Sequence, residues 1–211
     1  MEDFSKISAA NTTQKRLIVN ADDLGLSSGV NRGIFHAHQH GIVTSASLMV
    51  RYPAAEEAVI TAKSFPNLGV GLHLDFSEWA IINGEWKTLY EVVNLDDPAA
   101  VRLEIQHQLD AFFRLTNRPP THLDSHQHVH QDSRVWPIVQ QAAARLNVPL
   151  RHDGRINYCG DFYGQDELGQ PYHEGINPEN LIRIISTLDN PITELACHPA
   201  YDNTLETMYK H

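Results

Sequence analysis

Short apolar runs alternate with amphipathic stretches and polar loops along almost the whole chain. "RLIVN" at 16–20 has a β-branched centre and predicts a buried strand. "ADDLGLSSG" follows as a loop, where Ser27 or Ser28 can cap a helix from about Gly29 to His40 that Gly41 ends. "IVTSASLMV" predicts the next strand, residues 54–64 a helix, and "NLGVGLHLDF" a third strand. Residues 77–98, with Trp79, Trp86 and an Asn-Gly pair at 83–84, fit no helix and are read as an inserted loop. A long amphipathic helix, "AAVRLEIQHQLDAFFRLT", runs to the Pro119-Pro120 stop. Beyond it the pattern predicts a strand at "THLDS", a helix at 134–146, a strand at "VPLR" and a polar loop to about 176. A helix near 178–188 and a strand at "ITELACH" complete the series.

Repeated β-α alternation favours a parallel sheet, either open and doubly wound or rolled into a (β/α) barrel. The ionisable residues separate these. Asp22 and Asp23 follow the first strand, His73 ends the third, and Asp124 and His126 follow "THLDS". Arg151 ends "VPLR" and His198 ends the last strand. In a barrel, strand C-termini converge on one mouth; in an open sheet they are strung along an edge. The expectation is an α/β fold of irregular, TIM-barrel-like (β/α) type, with residues 1–15 a polar tail and 16–211 one domain.

Composition narrows the function. A chain of 211 residues buries a core without staples. A formal charge of −10 argues against nucleic acid or an anionic membrane surface as partner. No apolar run is long enough for a membrane span or a signal peptide. Cys159 and Cys197 form neither a disulfide framework nor a zinc motif, so the expected home is the cytoplasm.

One carboxylate and two imidazoles with open positions suit a divalent metal that activates water. Asp23, His73 and His126 can supply these ligands. Asp22, on the neighbouring residue, is then the candidate general base, and Arg151 can hold it ionised through a bidentate pair. His198, from another strand, can protonate a leaving amine. No Gly-x-Ser-x-Gly nucleophile occurs, which favours direct attack by water. Each residue also has a plainer explanation: the Asp-Asp pair as a turn device, His73 as a structural histidine, and His122, His128 and His130 as neighbours of a site. His36 and His40 are spaced to share a surface metal, but their last-turn position also favours positive charge.

"LIVNADDLGLSSGVNRGI", "GIVTSASLMV", "VGLHLDF", "THLDSHQHVH", "VPLR" and "ELACHPAYDN" occur in the order seen in the YdjC-like carbohydrate deacetylases, which include the chitooligosaccharide deacetylases. The chain resembles that family over roughly residues 15–204. The resemblance implies an irregular (β/α) barrel and metal-dependent removal of an N-acetyl group from a small acetylated amino sugar, with release of acetate. It implies Asp22 as base, Asp23, His73 and His126 as ligands of magnesium or zinc, His198 as acid, and a homodimer.

Two features depart from the family pattern. The chain ends at "DNTLETMYKH", where relatives usually continue with an arginine-containing helical segment and a last strand; barrel closure is therefore left open, and a partner chain is one way to fill the gap. Residues 77–98 are shorter than in many relatives and are expected to line the sugar groove, with Trp79 and Trp86 stacking on a ring or capping the core. The rival readings are another metal-dependent hydrolase, of amides or phosphoesters, and a degenerate sugar-binding domain without turnover. "NADD" stands where the first of these usually carries His-x-His.

Overall fold

A computed structural model describes residues 15–82, 84–165 and 172–201. Strand β1 (Arg16–Leu24) leads into α1 (Ser28–His40), β2 (Ser45–Leu48), α2 (Ala55–Ala62) and β3 (Gly69–Leu74). A hairpin of β4 (Ser77–Ile82) and β5 (Glu85–Glu91) precedes α3 (Pro98–Thr116) and β6 (Leu123–Ser125). A 3-10 segment (His126–Gln131) then leads to α4 (Trp136–Leu146) and β7 (Asn157–Cys159). A second short turn (His173–Ile176) precedes α5 (Pro178–Thr187) and β8 (Ile192–Cys197).

Six strands pair in the order β6-β3-β2-β1-β8-β7, all parallel. They curl into an open half-barrel, in which β6 and β7 are the two outermost strands. The helices follow one another around the outside, α1 against α2, α2 against α3 and α3 against α4. Side chains alternate along these strands: Val19, Ala21, Ala46, Leu48, Leu72, Leu74 and Leu123 form one apolar buried face, while Asn20, Ser45, Ser47, His73 and Asp124 lie on the other and are buried as well.

Local chemistry explains the helix limits. Ser27 accepts a hydrogen bond from Val30 N–H (3.2 Å) and starts α1. Asp97 accepts from Ala99 and Ala100 N–H and starts α3 beside Pro98. Val101, Ile105, Leu109 and Phe112 form the buried stripe of α3 at helical spacing, until Asn117 turns left-handed (φ 53°) ahead of the prolines. A buried side chain of this size contributes about 1.5–3 kcal/mol.

Two expectations are corrected. "VPLR" is not a strand: only Leu150 bridges to Leu123, because Pro149 offers no N–H and the chain turns left-handed at His152 (φ 68°). The sixth strand is β7, inside the stretch read as a polar loop. Residues 77–98 are not an irregular insertion but contain the antiparallel β4–β5 hairpin, which turns through Gly84 at φ 79°. Asn83, residues 1–14 of the expected tail, and the "NTLETMYKH" end lie outside the described residues.

Candidate active site

The C-terminal end of β1 is irregular where it matters. Its pairing with β2 slips between Ala21 and Leu24, and Asp23 sits in the left-handed region (φ 67°). A bulge of this kind re-aims successive side chains. Asp22 and Asp23 consequently reach different partners, although both are buried. Gly25 (φ 91°) completes the turn, its N–H held by Asn31 Oδ1 at 2.7 Å.

Asp23 Oδ1 lies 3.1 Å from His126 Nδ1 and 3.3 Å from His73 Nε2. One donor atom from each of these three buried residues falls within 4.8 Å of the others. The other nitrogen of His73, Nδ1, is hydrogen-bonded to Asp124 Oδ1 at 2.8 Å, an outer carboxylate that fixes the ring and aims Nε2 inward. His126 Nε2 faces Glu78 Oε2 at 3.8 Å, from β4.

Arg151 forms a second cluster beside the first. Its Nη1 and Nη2 donate to Asp22 Oδ2 and Oδ1, both at 2.8 Å. Nη2 also lies 2.9 Å from Asp124 Oδ2, and Nε and Nη2 donate to Glu194 Oε1 at 2.9 and 2.6 Å. His198 Nε2, at the end of β8, is 3.9 Å from Asp22 Oδ2 and 4.0 Å from Asp23 Oδ2. The Tyr163 ring lies 4.8 Å from the His198 ring. All six residues expected at the site, Asp22, Asp23, His73, His126, Arg151 and His198, therefore belong to one connected group.

The electrostatics follow from this crowding. Burial raises the cost of every charge, yet the Arg151 guanidinium still holds Asp22 below the ordinary carboxylate range. Burial likewise opposes charge on Asp23, and His126 outweighs it. For His73, burial is overcome by Asp124 and the ring rises to about 10; for His126, Asp23 does the same and the ring rises to about 9. His198 goes the other way, since burial lowers it despite the two nearby aspartates. When His73 and His126 are neutral, as metal ligands must be, the carboxylates of Asp22, Asp23, Asp124 and Glu194 outnumber the one guanidinium, and a divalent cation beside Asp23 would take the place of the two ring protons.

Asp22, His73 and Asp124 also lie close enough to share an ion. There, however, both carboxylates already pair with Arg151, so the Asp23, His73 and His126 group is the better receptor for a metal.

Sequence reading leaves Asp124, Glu78 and Glu194 without a role. Asp124 is legible in hindsight, because it stands two residues before His126 and so shares its side of an extended segment. Glu194 is a carboxylate in the middle of an otherwise apolar run, which is itself a signal of a buried partner. Glu78 carries no such signal, because the hairpin that delivers it reads as loop. Of the two tryptophans, Trp79 packs on the core, with its backbone clasped by Gln127 through hydrogen bonds of 2.8 Å each way, whereas Trp86 is 62% exposed.

A curled parallel sheet carrying an Asp-His-His cluster and an arginine-clamped aspartate at its mouth defines an α/β protein with a buried group of side chains that could hold a metal ion. The chain belongs to the YdjC-like family, whose sequence pattern matches residues 16–210. It is 38% identical to the carbohydrate deacetylase of Geobacillus stearothermophilus, over 87% of this chain and 79% of that one. It is 32% identical to the chitooligosaccharide deacetylase of Serratia marcescens, over 94% of this chain and 87% of that one. Among solved structures, a protein of Enterococcus faecalis V583 superimposes with a TM-score of 0.69 at 25% identity, covering 90% of this chain and 82% of that one. The family 4 carbohydrate esterase of Streptomyces lividans shares the fold at a TM-score of 0.55 and 14% identity, over 93% of this chain and 85% of that one. Among the described residues, no helix is long and apolar enough to cross a membrane.

Proposed function

We propose that this chain is a metal-dependent carbohydrate deacetylase that hydrolyses the N-acetyl group of an acetylated amino sugar of the chitooligosaccharide type, releasing acetate and a free amine. The observation that carries the reading is the convergence of His73 Nε2 and His126 Nδ1 on Asp23 Oδ1, next to an Asp22 that Arg151 holds ionised. Relatives named as carbohydrate and chitooligosaccharide deacetylases over most of the chain support the reaction class.

Asp23, His73 and His126 would hold the metal, magnesium or zinc. When bound, it supplies acidification of water and polarisation of the acyl carbonyl. Asp22 takes the proton of the attacking water. The Arg151 clamp keeps its carboxylate charged and fixed in orientation, so geometry rather than high basicity makes it the acceptor. Burial pushes His198 below the ordinary histidine range, which favours its neutral form. The proton it gives the leaving nitrogen is then the one released by water; Asp22 Oδ2 and His198 Nε2 stand 3.9 Å apart, so it passes between them through a bridging water or the substrate. Asp124 keeps His73 in the tautomer that presents Nε2.

The deciding experiment is acetate release from diacetylchitobiose before and after chelation, with metal restored afterwards. Release that stops with chelator and returns with magnesium or zinc supports the proposal. Chelator-insensitive release would refute the metal role, and metal-loaded protein releasing no acetate would refute the substrate class.

A further inference from the structure

His128, His130 and His152 form a second cluster that the proposed reaction does not use. One nitrogen from each ring lies within 4.8 Å of the others. The rings sit close, with centroids 5.2 Å apart for His128–His152, 5.4 Å for His130–His152 and 6.0 Å for His128–His130. His130 is fully buried. Its Nδ1 is hydrogen-bonded to Ser125 Oγ at 2.7 Å, which leaves Nε2 to face His152 Nδ1 at 3.2 Å. His128 Nε2 is met by the hydroxyls of Tyr158 (3.2 Å) and Tyr163 (3.3 Å), while its Nδ1 is buried without a hydrogen-bond partner.

Metal-bound histidines are commonly arranged this way, with one ring nitrogen held by an outer oxygen and the other left for the ion. The spacing agrees as well. Zinc–nitrogen bonds of about 2.0–2.1 Å at tetrahedral angles put two ligand nitrogens about 3.3–3.4 Å apart, close to the separation of His130 Nε2 and His152 Nδ1. Two of the three rings are carried on strained backbone, with left-handed φ of 55° at His128 and 68° at His152.

We propose that His128, His130 and His152 form a second metal site, separate from the Asp23 centre, that takes a zinc-class transition ion and leaves its fourth position to water. Three imidazoles with no carboxylate suit zinc, copper or nickel and not magnesium. The neighbouring Arg151 does not forbid a cation, since Asp22, Asp124 and Glu194 already surround its charge. Through His128 the ion would brace Tyr163, whose ring lies against His198.

The test is zinc content per chain after loading and desalting, together with visible absorption of the cobalt-substituted protein. The variants are His152→Asn, Asp23→Asn and the double variant; asparagine tolerates the left-handed backbone at both positions. The expected counts are two zinc ions in the parent, one in each single variant and none in the double. The cobalt band of a nitrogen-rich site should survive Asp23→Asn and vanish with His152→Asn. An unchanged zinc count in His152→Asn overturns the second site while leaving the Asp23 centre standing. Loss of zinc with His152→Asn but not with Asp23→Asn refutes the first centre and upholds the second. His128→Asn gives an independent reading should His152→Asn fail to fold, and a full zinc count there also overturns the proposal.

Discussion

Replacing Gly33 with alanine sets a local gain against a tertiary cost. Gly33 lies inside α1, where glycine costs roughly 0.5–1 kcal/mol relative to alanine, so helix propensity alone predicts a more stable protein. An added Cβ, however, would stand 2.5 Å from Ala200 Cα, 2.6 Å from Ala200 N and 2.7 Å from Pro199 C. These are backbone atoms that no rotamer change can move. Ordinary carbon contacts need about 3.5–4.0 Å, so α1 and the segment after β8 must separate by roughly 1 Å. The Tyr201 N–H to Gly29 carbonyl bond (3.1 Å) ties that segment to the same helix and resists the shift. Overpacking of this kind costs about 1–3 kcal/mol, which outweighs the helix gain and leaves a net loss of about 0.5–2 kcal/mol. For a chain of this size that lowers Tm by roughly 1–8 °C. Ala200 is two residues beyond His198, and a misplacement of ~1 Å at a reacting group costs up to ~10²-fold in rate. In acetate-release kinetics, kcat should fall by about 10- to 100-fold with KM little changed. A Gly33→Ala protein with raised Tm and parental kcat would show that propensity governs this position and that the close approach of the His198 segment to α1 is wrong.

Asp22→Asn should leave metal content intact and lower kcat by about 10²–10⁴-fold, because the proton acceptor is lost while the geometry stays; a parental rate would remove Asp22 from the mechanism. Asp124→Asn loosens the outer partner of His73 and should weaken binding at the Asp23 centre by about 10–100-fold in a competition titration with a chelator, and unchanged affinity would deny that role. Arg151→Met leaves Asp22, Asp124 and Glu194 buried without their cation, at a cost of about 3–5 kcal/mol read from denaturant midpoints. An unshifted midpoint would mean that the three carboxylates do not depend on Arg151.

Much of the fold is readable from period alone. β1, β3, β8 and the long α3 carry either mostly apolar runs or a helical stripe, and the parallel order of the sheet follows from β-α alternation. The hairpin and β7 are missed for a shared reason. Both bury little, so hydrophobic pattern, which reports burial, has little to say about them. "VPLR" errs the other way: it is apolar enough for a strand, but a proline and a left-handed turn at His152 stop it from pairing beyond one bridge.

The candidate site divides along a similar line. Strand-end position places Asp22, Asp23, His73, His126 and His198 at one mouth, because the side chains at parallel strand C-termini must converge once the sheet curls; Arg151 reaches it from the single bridge at Leu150. Which atom faces which partner is beyond the reach of one-dimensional pattern. The left-handed turn at Asp23, the carboxylate of Asp124 behind His73 and the sharing of Arg151 among three acids depend on pairing between residues up to 129 positions apart. The same holds for the histidines of "THLDSHQHVH". Sequence made them neighbours, whereas the backbone turns at Gln127 and His128 send His126 to one cluster and His128 and His130 to another, where they meet His152. Local composition determined which chemical groups this chain could bring to a site, and the tertiary structure decided their partners, since donor atoms a few ångströms apart are set by packing and not by spacing along the chain.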